Sequence, residues 1–248
     1  GSRGLGDVYK RQVGGCVRDS LLGRTPIDWD VTTSALPEET AGIFDALGGY
    51  TVAKTGLAHG TLTIIKEHCP VEITTYRVDG AYSDARHPDA VRFTRSLRED
   101  LARRDLTVNA MAMDAAGALH DPFGGREDIR RRVLRCVGDP ERRFREDALR
   151  ILRTLRFSAT LGFAIEPETH RALRTQCGDL RYVAAERVRE ELTKLLCGQD
   201  AGRVLEEDPQ VLGVVLPEIL PCVGFDQHNR HHCYDVWGHT AHAGRRPA

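Results

Sequence analysis

No apolar run in the 248 residues approaches the roughly 20 needed to cross a bilayer as a helix, and no secretory signal is visible. A zinc or disulfide framework is missing too. The seven cysteines, at 16, 69, 136, 177, 197, 222 and 233, are odd in number and scattered, with no CxxC pair. They suit a reducing compartment, so the expected location is cytoplasmic, with no membrane partner. There is no global excess of positive charge, since the net charge is −1. No internal repeat or low-complexity tract is evident, which argues against a solenoid or a disordered chain. What remains is ordinary for a globular protein: 41% hydrophobic and 29% charged residues, in a length that suits one large or two small domains. Charge is uneven, however. Residues 126–156 hold eleven arginines, well in excess of their acids, a segment suited to phosphates.

The chain is organised around residues 13–33, VGGCVRDSLLGRTPIDWDVTT. Gly14 and Gly15 make a turn into a short helix that carries Arg18, and a Gly-Gly turn at a helix start presents free N–H groups to phosphate. Residues 27–33 read as a strand. Side chains two apart on a strand share a face, so Asp28 and Asp30 are expected to project together. Paired carboxylates hold divalent metals. Taken alone, the pair reads more readily as solvent-facing aspartates beside a tight turn; GGxVRD just upstream reverses that in favour of a metal–nucleotide site.

Further readings follow the local patterns. Residues 1–12 are poor in apolar side chains where a strand should feed the sheet. Either they replace a native apolar strand, or they form a poorly hydrophobic edge strand. Helices are expected at 16–22, 34–47, 96–104 and 107–113, with strands at 50–53, 61–65 and 71–75. Residues 79–90 form a polar loop too long for a tight hairpin, and 121–125, DPFGG, a turn. From Pro140 the period becomes helical: 141–161, 168–176 and 184–197, then shorter pieces to 220. The fold class is therefore α+β, a mixed or antiparallel sheet followed by an all-helical segment, with a boundary near 138.

Three more groups carry chemistry. Glu72, in the strand VEITTYR, is the best third carboxylate for a two-metal transfer site. In RRDLTVNAMAMD (103–114), Arg104 suits a triphosphate, and Asp105 and Asn109 suit ribose hydroxyls; Asp105 also suits a helix cap. In REDALRILRTLR (145–156), Asp147, Arg150, Arg153 and Arg156 recur every three residues. On one helix, Asp147 and Arg156 then flank the apolar face and Arg150 and Arg153 lie opposite it. A division of labour is expected: Asp147 and Arg150 read a base edge, Arg153 and Arg156 meet phosphates or support the site. A solvated charged face is the bland alternative.

These motifs resemble those of the class II tRNA nucleotidyltransferase and poly(A) polymerase family, within the polymerase beta-like nucleotidyltransferases. GGCVRDSLLGRTPIDWDVTT resembles its first motif, RRDxTxNA its nucleotide site, and EDxxR its reader of the incoming base. ERxxxE at 186–191 resembles an element expected to buttress that reader by ion pairs. The resemblance implies a nucleotidyltransferase head at 13–138, a helical neck that binds RNA and nucleotide at 139–224, and at 225–248 the truncated start of an HD-like domain. There His228, His231, His232, His239 and His242 crowd together, and His239 would be a first metal ligand.

It implies catalysis by Asp28, Asp30 and Glu72 with two Mg2+ ions, metal ligation by Asp28 and Asp30, and nucleotide binding by Gly14, Gly15, Arg18, Arg104, Asp105, Asn109, Asp147, Arg150, Arg153 and Arg156. The implied reaction is template-independent addition of C and A to the 3′ end of tRNA from CTP and ATP. A poly(A) polymerase of the same family is the alternative. Two features favour the first: the loop DGAYSDARHPDAVRF resembles a loop of CCA-adding enzymes, and 64–77, IIKEHCPVEITTYR, lacks the arginine-rich segment usual in poly(A) polymerases. A non-catalytic RNA-binding or HD-phosphohydrolase fragment is a third reading. The sequence sets no oligomeric state.

Overall fold

The structure, a computed structural model, describes residues 10–80, 91–228 and 233–244. These form two compact units, the first from 10–80 and 91–130, the second from 131 onward.

In the first unit the strands are β1 (Lys10–Val13), β2 (Asp30–Thr33), β3 (Thr51–Ala53), β4 (Thr61–Lys66), β5 (Cys69–Thr75), β6 (Arg77–Asp79), β7 (Val91–Phe93), β8 (Ala112–Met113) and β9 (Leu119–His120). The helices are α1 (Gly15–Leu21), α2 (Pro37–Leu47), α3 (Leu97–Ala102) and α4 (Gly125–Arg131). Seven strands join in the order β3-β4-β5-β2-β1-β8-β9, and β6 pairs with β7. Within the seven-stranded sheet β2 and β5 run parallel and the other described pairs are antiparallel, so the mixed sheet is as expected.

Local chemistry fixes the helices that flank the sheet. Pro37 opens α2, and the backbone N–H of Leu36 donates to Glu39 Oε2 at 2.8 Å. Ser96 caps α3, its Oγ accepting from the N–H of Glu99. One apolar cluster joins Cys16, Val17 and Met111; another joins Ala41, Leu62 and Ile64 under Phe44 and Tyr50.

Several expectations are corrected here. The strand expected at 27–33 begins at Asp30, and Asp28 sits in the bend before it. The helix expected at 107–113 is one 3-10 turn, Thr107–Asn109, followed by β8; pairing of β8 with β1 outweighs the helical pattern of the apolar residues. β1 is no edge strand, because β2 and β8 pair with its two sides. Its polar sequence is tolerated because Val13 faces the core and Arg11 Nη1 donates to the buried Tyr76 hydroxyl at 2.9 Å. The expected polar loop at 79–90 lies almost wholly outside the described residues.

The second unit contains β10 (Val133–Leu134), α5 (Pro140–Glu146), α6 (Leu149–Leu161), β11 (Ala164–Ile165), α7 (Pro167–Gln176), α8 (Ala185–Leu196), α9 (Ala201–Glu207), α10 (Pro209–Leu212) and α11 (Val236–Ala243). Its core is the apolar face of α6, with Ile151, Leu152, Leu155 and Ala159 at 0% exposure, packed on α8 and α9. The unit is not all-helical, since β10 and β11 form a parallel ladder. That ladder draws 133–134 in with the helices, so the contact boundary falls at 130/131, ahead of the expected 138. The single helix expected at 141–161 is two. Asp147 adopts an extended conformation, φ −150° and ψ 106°, ends α5, and accepts the N–H of Leu149 at 3.0 Å.

Candidate active site

In the first unit the glycine turn, the strand β2 and the turn after α3 converge. Gly14 has φ +76°, a conformation open to glycine, and precedes the first residue of α1. A Cβ built on Gly14 would stand 3.0 Å from Arg104 Nη1, 3.8 Å from the Asn109 carbonyl oxygen and 4.0 Å from Asp30 Oδ2. The absent side chain leaves a cradle between a guanidinium and a carboxylate. Gly15 is under no such constraint: its Cβ would make an ordinary 3.6 Å contact with Arg18.

Arg18 is buried on α1. Its Nη1 donates to Asn109 Oδ1 at 2.7 Å and its Nε to Asp19 Oδ1 at 2.9 Å. Asn109 in turn donates from Nδ2 to Asp105 Oδ1 at 3.2 Å, and that oxygen also accepts the N–H of Leu106 at 2.8 Å. The 3-10 turn thus delivers the neighbour relation expected of an α-helix. The cap expected of Asp105 is not formed: its bond is to the N–H of the next residue, Leu106, which itself flanks the 3-10 turn.

Asp30 lies directly opposite Glu72 in the parallel β2–β5 ladder. Asp28 does not share the strand, so its closeness to Asp30 comes from the bend rather than from strand alternation. The two are electrostatically coupled. Loss of solvation pushes the Asp30 carboxyl above its ordinary range, the Arg104 guanidinium pulls it down, and the Asp28 charge pushes it up again. Arg104 is depressed by burial, opposed first by Asp100.

Among the described residues, no group of three or more His, Cys, Asp and Glu side chains is gathered closely enough to hold a metal ion by itself. The donor set nonetheless fits magnesium, a hard cation usually held by one or two carboxylates together with substrate phosphates. A carboxylate raised by loss of solvation, and further by a neighbouring carboxylate, is also one whose charge a cation would stabilise.

The second unit carries the arginine-rich motif. Asp147 accepts from Arg187 Nη2 at 3.0 Å. Arg150 lies on the side of α6 away from Ile151, Leu152 and Leu155, as expected, but is buried there: its Nη1 donates to Glu146 Oε2 at 2.8 Å and to the Arg143 carbonyl at 3.2 Å. The face assignment fails for Asp147 alone, which breaks the helix, and α5 supplies the partners that bury Arg150. Arg156 is ion-paired with Glu191, and Arg153 Nη1 lies 3.7 Å from the same carboxylate. Arg187 and Glu191 belong to the ERxxxE element, whose ion pairs to the 145–156 motif are thus present.

Sequence reasoning missed Asp100 and Glu146. Each stands three or four residues before arginines it binds, Arg103 and Arg104 for Asp100, and Arg150 for Glu146. That spacing was a usable signal.

Comparison with known proteins bears on both units. Residues 10–135 match the family model of the poly A polymerase head domain, and 162–221 that of the probable RNA- and SrmB-binding site of polymerase A. The chain is 49% identical over 193 residues to a CCA-adding enzyme of Geobacillus stearothermophilus, covering 78% of this chain and 46% of that one. It is 50% identical over 194 residues to one of Leuconostoc mesenteroides, covering 78% and 47%. It spans about half the length of these curated relatives. Among solved structures it resembles the Bacillus stearothermophilus CCA-adding enzyme in complex with CTP, with TM-score 0.72 and 45% identity over 80% of this chain and 47% of that one. It also resembles a tRNA nucleotidyltransferase complexed with a primer tRNA and an incoming ATP analog, with TM-score 0.67 and 31% identity over 89% and 61%.

Proposed function

Because the chain belongs to the poly A polymerase head-domain family, we propose that it carries the nucleotidyl-transfer part of an enzyme that adds C and A to the 3′ end of tRNA from CTP and ATP, without a nucleic-acid template. The observation that carries the reading is the placement of Asp30 opposite Glu72, coupled to Asp28 and beside the Gly14–Arg104 cradle. CCA-adding relatives, one of them solved with CTP, support the choice of substrates.

In this reading Asp28 and Asp30, with Glu72 as the third carboxylate, hold two Mg2+ ions. When bound, these ions supply Lewis acidity for attack of the 3′-hydroxyl on the α-phosphate and for departure of pyrophosphate. The backbone at Gly14 and Gly15, with Arg18 and Arg104, takes the triphosphate. Asp105 and Asn109 take the ribose through the polar capacity left beside their mutual bond. Asp147 accepts the exocyclic amine of C or A, and Arg150 donates to the adjacent ring nitrogen. Arg153 and Arg156, tied to Glu191, support that helix. Free cysteines and the absence, among the described residues, of a helix long and apolar enough to cross a membrane suit a cytoplasmic tRNA-processing role.

The test is incubation with tRNA ending at its discriminator base and each nucleotide triphosphate, with products resolved to single-nucleotide length. C and then A should be added in the presence of Mg2+. A ladder of A alone would establish the poly(A) reading instead, and no extension with any nucleotide would overturn nucleotidyl transfer.

A further inference from the structure

We propose that Asp100 is a positioning residue. It holds the Arg104 guanidinium over the glycine turn and keeps it from closing onto Asp30. The inference rests on the reading of Arg104 as a triphosphate ligand.

Asp100 lies in the first turn of α3 and is 0% exposed. Its Oδ1 accepts from Arg103 Nε at 3.0 Å and from the Arg77 backbone N–H at 3.3 Å. Its Oδ2 accepts from Thr32 Oγ1 at 3.4 Å and stands 3.6 Å from Arg104 Nη2. One carboxylate thus ties together β2, through a residue two beyond Asp30, the start of β6, and both arginines that follow α3. A buried charge anchored at several points cannot turn into water, so the direction in which it pulls is fixed.

Arg104 shows the effect of that pull. Nη2 faces Asp100, while Nη1 lies 3.0 Å from the point where a Cβ of residue 14 would stand, and Asp30 Oδ2 lies 4.0 Å from that point. The guanidinium therefore has Asp100 at Nη2 and Asp30 towards Nη1, with the Asp105 charge also acting on it. Its Nε is buried with no hydrogen-bond partner among the described residues, which leaves Arg104 short of bonds of its own to set its orientation. Without Asp100 the carboxylates left to act on Arg104 are Asp105 and Asp30, and of these Asp105 is already engaged by Asn109 and the Leu106 N–H. An Arg104–Asp30 pair would neutralise the metal ligand and withdraw the donor intended for phosphate. With Asp100 in place the donor is set before the nucleotide arrives, and less ordering accompanies binding. Sequence spacing builds this in, since Arg103 and Arg104 follow Asp100 at i+3 and i+4.

The experiment measures equilibrium binding of CTP and ATP, with Mg2+, to this chain and to Asp100→Asn, Arg104→Ala and the double variant, with melting curves alongside. Arg104→Ala alone tests the underlying reading: unchanged binding removes Arg104 from the triphosphate site whatever Asp100 does. Given a loss there, Asp100→Asn should weaken binding about tenfold, and the double variant should bind no more weakly than Arg104→Ala. Losses that multiply in the double variant, or an Asp100→Asn protein that binds like the parent, overturn the proposal. A purely structural Asp100 would lower the melting temperature without that non-additivity. If Asp100→Asn does not fold, Thr32→Val loosens the same carboxylate. It should weaken binding about two- to threefold, and only while Arg104 is present. An equal loss without Arg104, or no loss in either background, contradicts the proposal.

Discussion

Asp30 on β2 and Glu72 on β5 are register partners in the parallel pair of the sheet, and Asp28 lies in the bend ahead of β2. Glu72 is exposed and its side chain supports no core packing. Its replacement should therefore cost activity without stability. Glu72→Gln is expected to reduce nucleotide incorporation on the order of 10²-fold, the scale of losing one pre-set group that acts on developing charge. The melting temperature should stay within a degree or two, about the ±0.5 kcal/mol of a neutral surface change. Single-turnover incorporation and thermal melts check this together.

The two glycines should differ. Gly14 has positive φ and abuts Arg104, whereas Gly15 has neither constraint. Gly14→Ala is expected to destabilise by about 1–3 kcal/mol, the cost of a strained backbone, and to weaken nucleotide binding by displacing Arg104. Gly15→Ala should leave stability close to the parent. Urea unfolding of the two variants, with CTP titrations, separates them.

Asp30 gives a pH signature. Desolvation first, and Asp28 after it, raise its folded-state pKa above the ordinary aspartate value. A raised carboxyl contributes stability that is fully present below the unfolded value and is lost as pH rises through the folded value. In metal-free buffer, the advantage of Asp30→Asn over the parent should therefore grow as pH is raised from about 4 towards 7. Mg2+ should shrink it by stabilising the ionised parent. Melting temperatures across that range, with and without Mg2+, provide the check; an advantage that falls with rising pH would show the sign to be wrong.

In the proposed reading, base choice falls to Asp147 and Arg150. Uracil and guanine present a carbonyl where cytosine and adenine present an amine, and each unpaired polar group in a closed site costs roughly 1–3 kcal/mol. Two such mismatches give discrimination on the order of a hundredfold or more. Asp147→Ala should lose much of it, with UTP and GTP gaining relative to CTP and ATP in four-nucleotide competition. Strong retained preference for C and A would place base choice elsewhere.

Much of this site was legible because short-range chemistry dictates it. The glycine turn and the Arg104–Asp105–Asn109 run each lie within a few residues, and their closeness follows from spacing. Tertiary pairing decided the rest. Residues 107–113 satisfy a helical pattern, yet Ala112 and Met113 are recruited by β1. The polar β1 sits centrally because its neighbours supply partners that its own residues do not announce. The break at Asp147 was hidden by an apolar period that runs on across it. The extended Asp147, which caps Leu149, bends the chain, and Arg150 is then buried by Glu146 and the Arg143 carbonyl.

The most direct test of the central claim is Mg2+-dependent incorporation of labelled CMP onto tRNA ending at its discriminator base, compared between the parent chain and Asp28→Asn and Asp30→Asn proteins shown by melting to be folded. Metal-dependent transfer by paired carboxylates predicts that the parent incorporates CMP only with a divalent ion. It also predicts that each variant loses at least about 10²–10³-fold of that rate at every Mg2+ concentration. Near-parental turnover in folded Asp30→Asn, or parental incorporation that persists in a chelator, would contradict it.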